Sequence, residues 1–135
     1  MSKIKIGNFT VGQKEEPFIM GEAGINHNGE IKKAFEMIEL GKKSGLNAIK
    51  FQTFNVDEFI ADTSLTHTYF SQGEKITESQ YDMFKKCEFS NEEWYKIKEK
   101  CDNEEILFLS TPENRTDLDL LLQIGIPAIK VGSDE

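Results

Sequence analysis

AIKFQTF, residues 48–54, is the stretch on which the reading of this fold turns. It is a short run rich in Ile and Phe, with no clean apolar–polar alternation. Three more runs share its character: FIMGEAG at 18–24, ILFLST at 106–111 and AIKVGS at 128–133. Three of the four follow or adjoin a helical pattern. Short, nearly continuous apolar runs of this kind read as parallel strands buried on both faces, not as half-exposed antiparallel ones.

Helical patterns lie between the runs. Ile31, Ala34, Phe35 and Ile38 recur at three-to-four spacing and predict a helix over about 30–44, closed by Gly41 or, better placed, Gly45. Ser90 and Glu93 have capping-box spacing and open a helix over 90–102, with Trp94, Ile97 and Cys101 inward. A third helix, 114–124, follows Thr111-Pro112 and is expected to turn Leu118, Leu121 and Leu122 inward. KIKIGNFTVG predicts a small leading hairpin. Residues 55–89 are long for a strand-to-helix link. Thr77 and Gln80 suggest a short capped helix there, with Tyr81 and Phe84 on its buried face, and the part before it has no clean period.

The resulting βα series defines a doubly wound sheet or a TIM barrel. A fourth strand at 128–133 with no helix after it reads as a series cut short. Half of a (β/α)8 barrel, the first four β/α units, fits best; a whole barrel takes about 250 residues.

The 135 residues carry 16 Lys and Arg against 24 Asp and Glu, a formal charge of −8. That balance argues against nucleic acid as partner but leaves room for a local anion pocket. Cys87 and Cys101 lack metal or disulfide spacing and are expected to be buried free thiols. No apolar run is long enough for a membrane span, and MSKIKIG lacks a signal-peptide core, so a cytoplasmic setting is the default.

In either parallel fold, ligands bind at the C-terminal strand ends. Polar residues gather there: Glu22, Asn26 and His27; Lys50 and Gln52; Ser110, Thr111 and Arg115; Lys130, Ser133 and Glu135. Lys50 and Lys130 each follow Ala-Ile inside a buried strand pattern. A lysine facing a barrel interior is costly unless an anion or a strong acceptor meets it. Two of them predict a carboxylate or phosphate ligand. The competing account has each lysine snorkel outward, or pair with Glu22 or Glu135. His27 alone signals little, since a lone loop histidine is more often structural than catalytic. No convergent set of three metal ligands is apparent.

These blocks together resemble the N-terminal half of the sialic acid synthase family, the N-acetylneuraminate, legionaminate and pseudaminate synthases. The resemblance runs over KIGNFTVG, EAGINHNG, AFEMIELGKKSG with AIKFQTF, YDMFKKCEFSNEEW, and ILFLSTPENRTDLDLLLQIGIPAIKVGSDE. It implies a TIM barrel followed by an antifreeze-protein-like domain, the later barrel and that domain lying beyond these residues, in a homodimer. It implies condensation of phosphoenolpyruvate (PEP) with an N-acylated amino sugar, such as N-acetylmannosamine or a bacterial analogue, to a nine-carbon 2-keto sugar acid and phosphate. A divalent metal, Mn²⁺ or Mg²⁺, is implied too, with its histidine ligands outside this segment. The segment alone is expected to have little activity.

Carried over by motif, Lys50 and Lys130 clamp PEP, with Gln52, Ser110, Thr111 and Ser133 donating hydrogen bonds around it. Glu135 stands near the reacting carbonyl as a proton-transfer group. Glu22 meets the sugar or a water, Asn26 and His27 shape the pocket, and Tyr81 lines the sugar side, although its place on a helix's inner face gives it a purely structural reading. Asp134 stands where the family usually has glycine, which adds charge and removes backbone freedom beside Glu135. Two other readings stay open: a different PEP-dependent keto-sugar-acid synthase, or a non-catalytic half-barrel that binds an anion or dimerises.

Overall fold

A computed structural model describes residues 2–133, and Asp134 and Glu135 lie outside them. The chain opens with an antiparallel hairpin, β1 (Ile4–Ile6) and β2 (Phe9–Val11), as KIKIGNFTVG predicts. The core sheet follows. β3 (Met20–Gly24), β4 (Ala48–Thr53) and β7 (Leu107–Pro112) pair in parallel, in chain order, with β4 in the centre. AIKFQT is flanked on both sides, which is why its burial is almost continuous. Neighbouring strands in sequential order, each joined to the next through a helical connection, are the opening of a (β/α)8 barrel, here not closed.

Helices α1 (Ile31–Lys43), α4 (Asn91–Asn103) and α5 (Arg115–Ile124) cover one face. Ile49 and Phe51 of β4 and Phe108 of β7 point into them and pack with Ala34, Ile38, Trp94, Ile97, Cys101 and Leu121. The rings of Phe51, Phe108 and Trp94 contact one another at centroid distances of 6.0–6.1 Å. Strand alternation sends Lys50, Gln52 and Thr111 to the opposite face.

Local chemistry accounts for most helix ends. Ser90 and Glu93 form the reciprocal capping box, and Trp94, Ile97 and Cys101 are buried. Gly45, at φ 84°, sits just past the α1 C-cap in the left-handed conformation. Gly41 does not stop the helix but is buried within it, against Leu46 and Ile106. In α5 the inward residues are Asp117, Leu120, Leu121 and Ile124, whereas Leu122 is exposed. The helix starts at Arg115 from an Asn114 cap, and its buried face follows from that start. Both cysteines are free and buried, and burial pushes the Cys101 thiol up to about 12.

The 55–89 segment is more ordered than its sequence suggests. It holds a four-residue helix α2 (Val56–Phe59), an antiparallel hairpin of β5 (Thr66–Ser71) and β6 (Glu74–Ser79), and helix α3 (Gln80–Lys85). Thr77 lies inside β6, so the α3 cap is Ser79, which accepts from the Asp82 N–H. Tyr81 and Phe84 do face inward, onto a second apolar cluster of Phe54, Val56 and Cys87.

Residues 128–133 do not form a full strand. They touch the sheet through one parallel bridge, Ser110 to Ile129, and a Lys130 N–H bond to the Ser110 carbonyl at 3.3 Å. Flanked by β7 on one side only, the segment leaves Ile129, Lys130 and Val131 exposed.

Candidate anion site at the strand ends

The ends of β3, β4 and β7 open into a cleft of about 460 Å³. Glu22, Gly24, Asn26, Lys50, Gln52, Thr111, Glu113, Lys130 and Ser133 line it, with Ile25, Phe59 and Phe84 as its apolar wall. At the centre is Lys50. Its side chain is only 6% exposed, and its Nζ lies 2.8 Å from Glu22 Oε2 and 3.4 Å from Thr111 Oγ1. Register explains the grouping: Glu22 is opposite Lys50, and Gln52 is opposite Thr111. One residue further along β4 the side chains reverse face.

A bulge between Glu22 and Gly24 shifts the register and drops Ala23 into the core while both neighbours face the cleft. Gln52 Nε2 donates to Glu113 Oε1 at 3.1 Å, and the Glu113 N–H donates to the Thr53 carbonyl at 3.1 Å. Glu113, Phe59 and Phe84 are cleft residues that sequence reasoning missed; the position of Glu113 two residues beyond Thr111 at a strand end was the signal available.

The expected residues divide by position. Glu22, Asn26, Lys50, Gln52, Thr111, Lys130 and Ser133 come together around the cleft. Asn26 also ties itself to the loop, donating from Nδ2 to the Ala23 carbonyl at 3.0 Å. Both parts of the competing account for the lysines are visible: Lys50 pairs with Glu22, and Lys130 is exposed. Ser110 is on the other face, fully buried, its hydroxyl 2.7 Å from that of Thr53. Tyr81 donates to Asp57 Oδ1 at 2.6 Å and does not line the cleft. Arg115 is exposed at the start of α5 and is not among the cleft residues. Glu135 falls outside the described residues.

His27 also points away from the cleft. It is fully buried, stacked on Phe89 at 4.2 Å, with Nδ1 accepting from the Gly29 N–H at 3.1 Å. Burial, only partly opposed by the Glu93 carboxylate, pulls its pKa down to about 4, so the ring is neutral at pH 7. Its place is the core side of the loop, where it braces the turn whose other side carries Asn26.

Among the described residues, no group of three or more His, Cys, Asp and Glu side chains could hold a metal ion. The cleft itself offers one buried cation with hydroxyl and amide donors beside it. Such a set suits a small anion bearing carboxylate or phosphate oxygens.

Parallel βα units with a polar cleft at their strand ends define a barrel-type α/β fold, and comparison with known proteins identifies the family. The chain belongs to the NeuB family, whose pattern matches residues 37–135. It is 38% identical over its whole length to an uncharacterized protein of Methanocaldococcus jannaschii, spanning 36% of that protein. It is 36% identical over 87% of its length to the N,N'-diacetyllegionaminic acid synthase of Legionella pneumophila, spanning 33% of it. Among solved structures, the N-acetylneuraminic acid synthetase of Leptospira borgpetersenii, in complex with citrate, superposes with a TM-score of 0.80 at 30% identity. That match covers 96% of this chain and 41% of the synthetase. The chain thus spans about a third of the length of the curated relatives it matches. No helix among the described residues is long and apolar enough to cross a membrane.

Proposed function

We propose that this chain is the N-terminal part of the barrel of an enzyme that condenses PEP with an N-acylated amino sugar, and that the cleft holds PEP. The observation that carries this reading is Lys50: an ammonium buried at a strand end, with donors around it and the exposed Glu22 carboxylate as its ion-pair partner among the described residues. The named activities of its relatives, legionaminic, pseudaminic and N-acetylneuraminic acid synthesis, supply the reaction class.

In this reading Lys50 holds one anionic group of PEP and Lys130 closes over the other from the exposed side. Thr111, Gln52 and Ser133 donate to its oxygens. The Glu22 carboxylate leaves Lys50 when the anion enters and turns to the sugar or a water. The PEP methylene carbon then attacks the aldehyde carbon of the open-chain sugar, water adds at PEP C2, and phosphate leaves by C–O cleavage. Glu135, carried over by motif, handles the proton. The described residues do not themselves provide a metal site, so no step is assigned to the Mn²⁺ or Mg²⁺ expected of the family. The rest of the barrel, an antifreeze-like domain and a homodimer belong to the same proposal.

The test is calorimetric titration of PEP into the full-length protein and its Lys50→Ala variant. Loss of PEP affinity in the variant is expected, and equal affinity would sink the reading. Phosphate release with arabinose or erythrose phosphate but not with N-acyl mannosamines would transfer the protein to another PEP-dependent synthase class.

A further inference from the structure

We propose that Asp117 is a positioning residue for the cleft: its carboxyl fastens the segment after β4 to the first turn of α5, and so holds in place Phe59 of the cleft wall and Glu113, whose carboxylate orients the Gln52 amide toward the bound anion. The inference rests on the reading of the cleft as the PEP site.

Asp117 is 5% exposed in the first turn of α5. Asn114 caps that helix, accepting the Asp117 N–H at 3.1 Å. The Asp117 carboxyl takes the Asn114 backbone N–H in return and, in addition, the backbone N–H of Asn55. A residue serving α5 alone has no use for the second bond. Asn55 lies two residues beyond the end of β4 and caps α2, which carries Phe59. Asn114 directly follows Glu113, and both Phe59 and Glu113 line the cleft. Two further bonds run the same way: Thr116 Oγ1 donates to Glu58 Oε2 at 2.7 Å, and the Glu113 N–H reaches the Thr53 carbonyl. Asp117 is therefore the buried member of a clasp between two strand ends of the site.

The arrangement is costly. Asp117 Oδ2 is buried with no hydrogen-bond partner, beside a second cavity of about 210 Å³ that Glu58 and Glu88 also line. Burial, aided by the Glu58 and Glu113 carboxylates and opposed by the Asn55 and Asn114 amides, raises its pKa to about 7. The clasped state thus binds the proton more tightly than an open one. Between the ordinary value of 3.8 and about 7, rising pH weakens the clasp, and above that range the effect is flat.

The test uses the full-length protein with PEP as the probe. Asp117→Ala should weaken PEP binding about tenfold, the worth of one such bond, and speed amide exchange at Asn55. Asp117→Asn, which keeps an acceptor oxygen, should restore affinity. It should also remove the fall in relative affinity that the clasp predicts for wild type between pH 5 and pH 7. An Asp117→Ala protein with wild-type PEP affinity and Asn55 exchange overturns the inference, as does an Asp117→Asn protein with the wild-type pH profile. If Asp117→Ala does not fold, the Asp117→Asn profile decides. Lys50→Ala is run in parallel: if it too leaves PEP binding intact, the PEP reading itself has failed. If only the Asp117 variants are silent, the clasp alone has failed.

Discussion

Glu22 and Lys50 face each other across adjacent parallel strands and form an ion pair of unequal partners: the lysine side chain is 6% exposed and the glutamate 56%. The carboxylate can swing into water at little cost, and the ammonium cannot. The pair therefore behaves as a fixed cation with a displaceable counter-ion. Removing the lysine charge leaves only an exposed carboxylate behind, whereas removing the glutamate would leave a buried ammonium unpaired.

It follows that Lys50→Met should leave stability unchanged or raise it by about 1–2 kcal/mol while PEP affinity is lost. Urea denaturation of wild type and variant, together with a PEP titration, measures both. A variant destabilised by more than about 1 kcal/mol would mark Lys50 as a structural lysine.

Protonation of His27 should cost the fold stability in acid. Its pKa falls from 6.5 to about 4, so between those values the unfolded chain binds the proton and the folded chain does not. Stability then rises with pH across that window and the contribution is complete above it. The shift corresponds to about 3 kcal/mol lost by pH 4. His27→Phe, apolar in the same stack with Phe89, should flatten this part of the pH dependence of the urea midpoint. A slope the same in both proteins would assign the acid sensitivity elsewhere.

The Ser90–Glu93 capping box gives a third expectation. Ser90 Oγ accepts the Glu93 N–H at 3.3 Å, and Glu93 Oε2 accepts the Ser90 N–H at 2.8 Å. Ser90→Ala should lower stability by about 1 kcal/mol, and the double variant with Glu93→Ala by less than the sum of the singles, because one motif is lost twice. Strict additivity in denaturation midpoints would show the two bonds acting independently.

What was legible in the sequence is what the core dictates. AIKFQT reads as a central parallel strand because both faces are buried, and the lysine within it stands out for the same reason. Alternation then placed Lys50 and Gln52 on one face. Where tertiary context decides, the sequence was silent. The β5–β6 hairpin is largely exposed on both faces, so no apolar period marks it. Its only signal was the Gln72-Gly73 pair, both at positive φ in the turn. Residues 128–133 look like 48–53 but meet the sheet through one bridge, Ser110 to Ile129, and do not make a full strand. Ser110 and Thr111 are adjacent in sequence and functionally opposite: the first bonds Thr53 under the helices, the second meets Lys50 in the cleft. Nothing in composition separates His27 in the core from Asn26 in the cleft, one residue away.

The glycines of the β3–α1 loop and of the α1 end share a backbone conformation but differ in surroundings, and this separates two costs. Gly29 has φ 73° and Gly45 φ 84°. A Cβ at Gly29 would lie 2.0 Å from the Lys86 carbonyl oxygen, whereas one at Gly45 would meet nothing within 4 Å. Gly45→Ala should therefore cost only the left-handed strain, about 1 kcal/mol. Gly29→Ala adds a clash with backbone that no side-chain motion relieves, and should cost well over 2 kcal/mol. Because the loop that Gly29 closes also presents Asn26 to the cleft, Gly29→Ala should weaken PEP binding in whatever fraction still folds, while Gly45→Ala should not. Equal denaturation midpoints for the two variants would mean that the loop does not press against the end of α3 in solution.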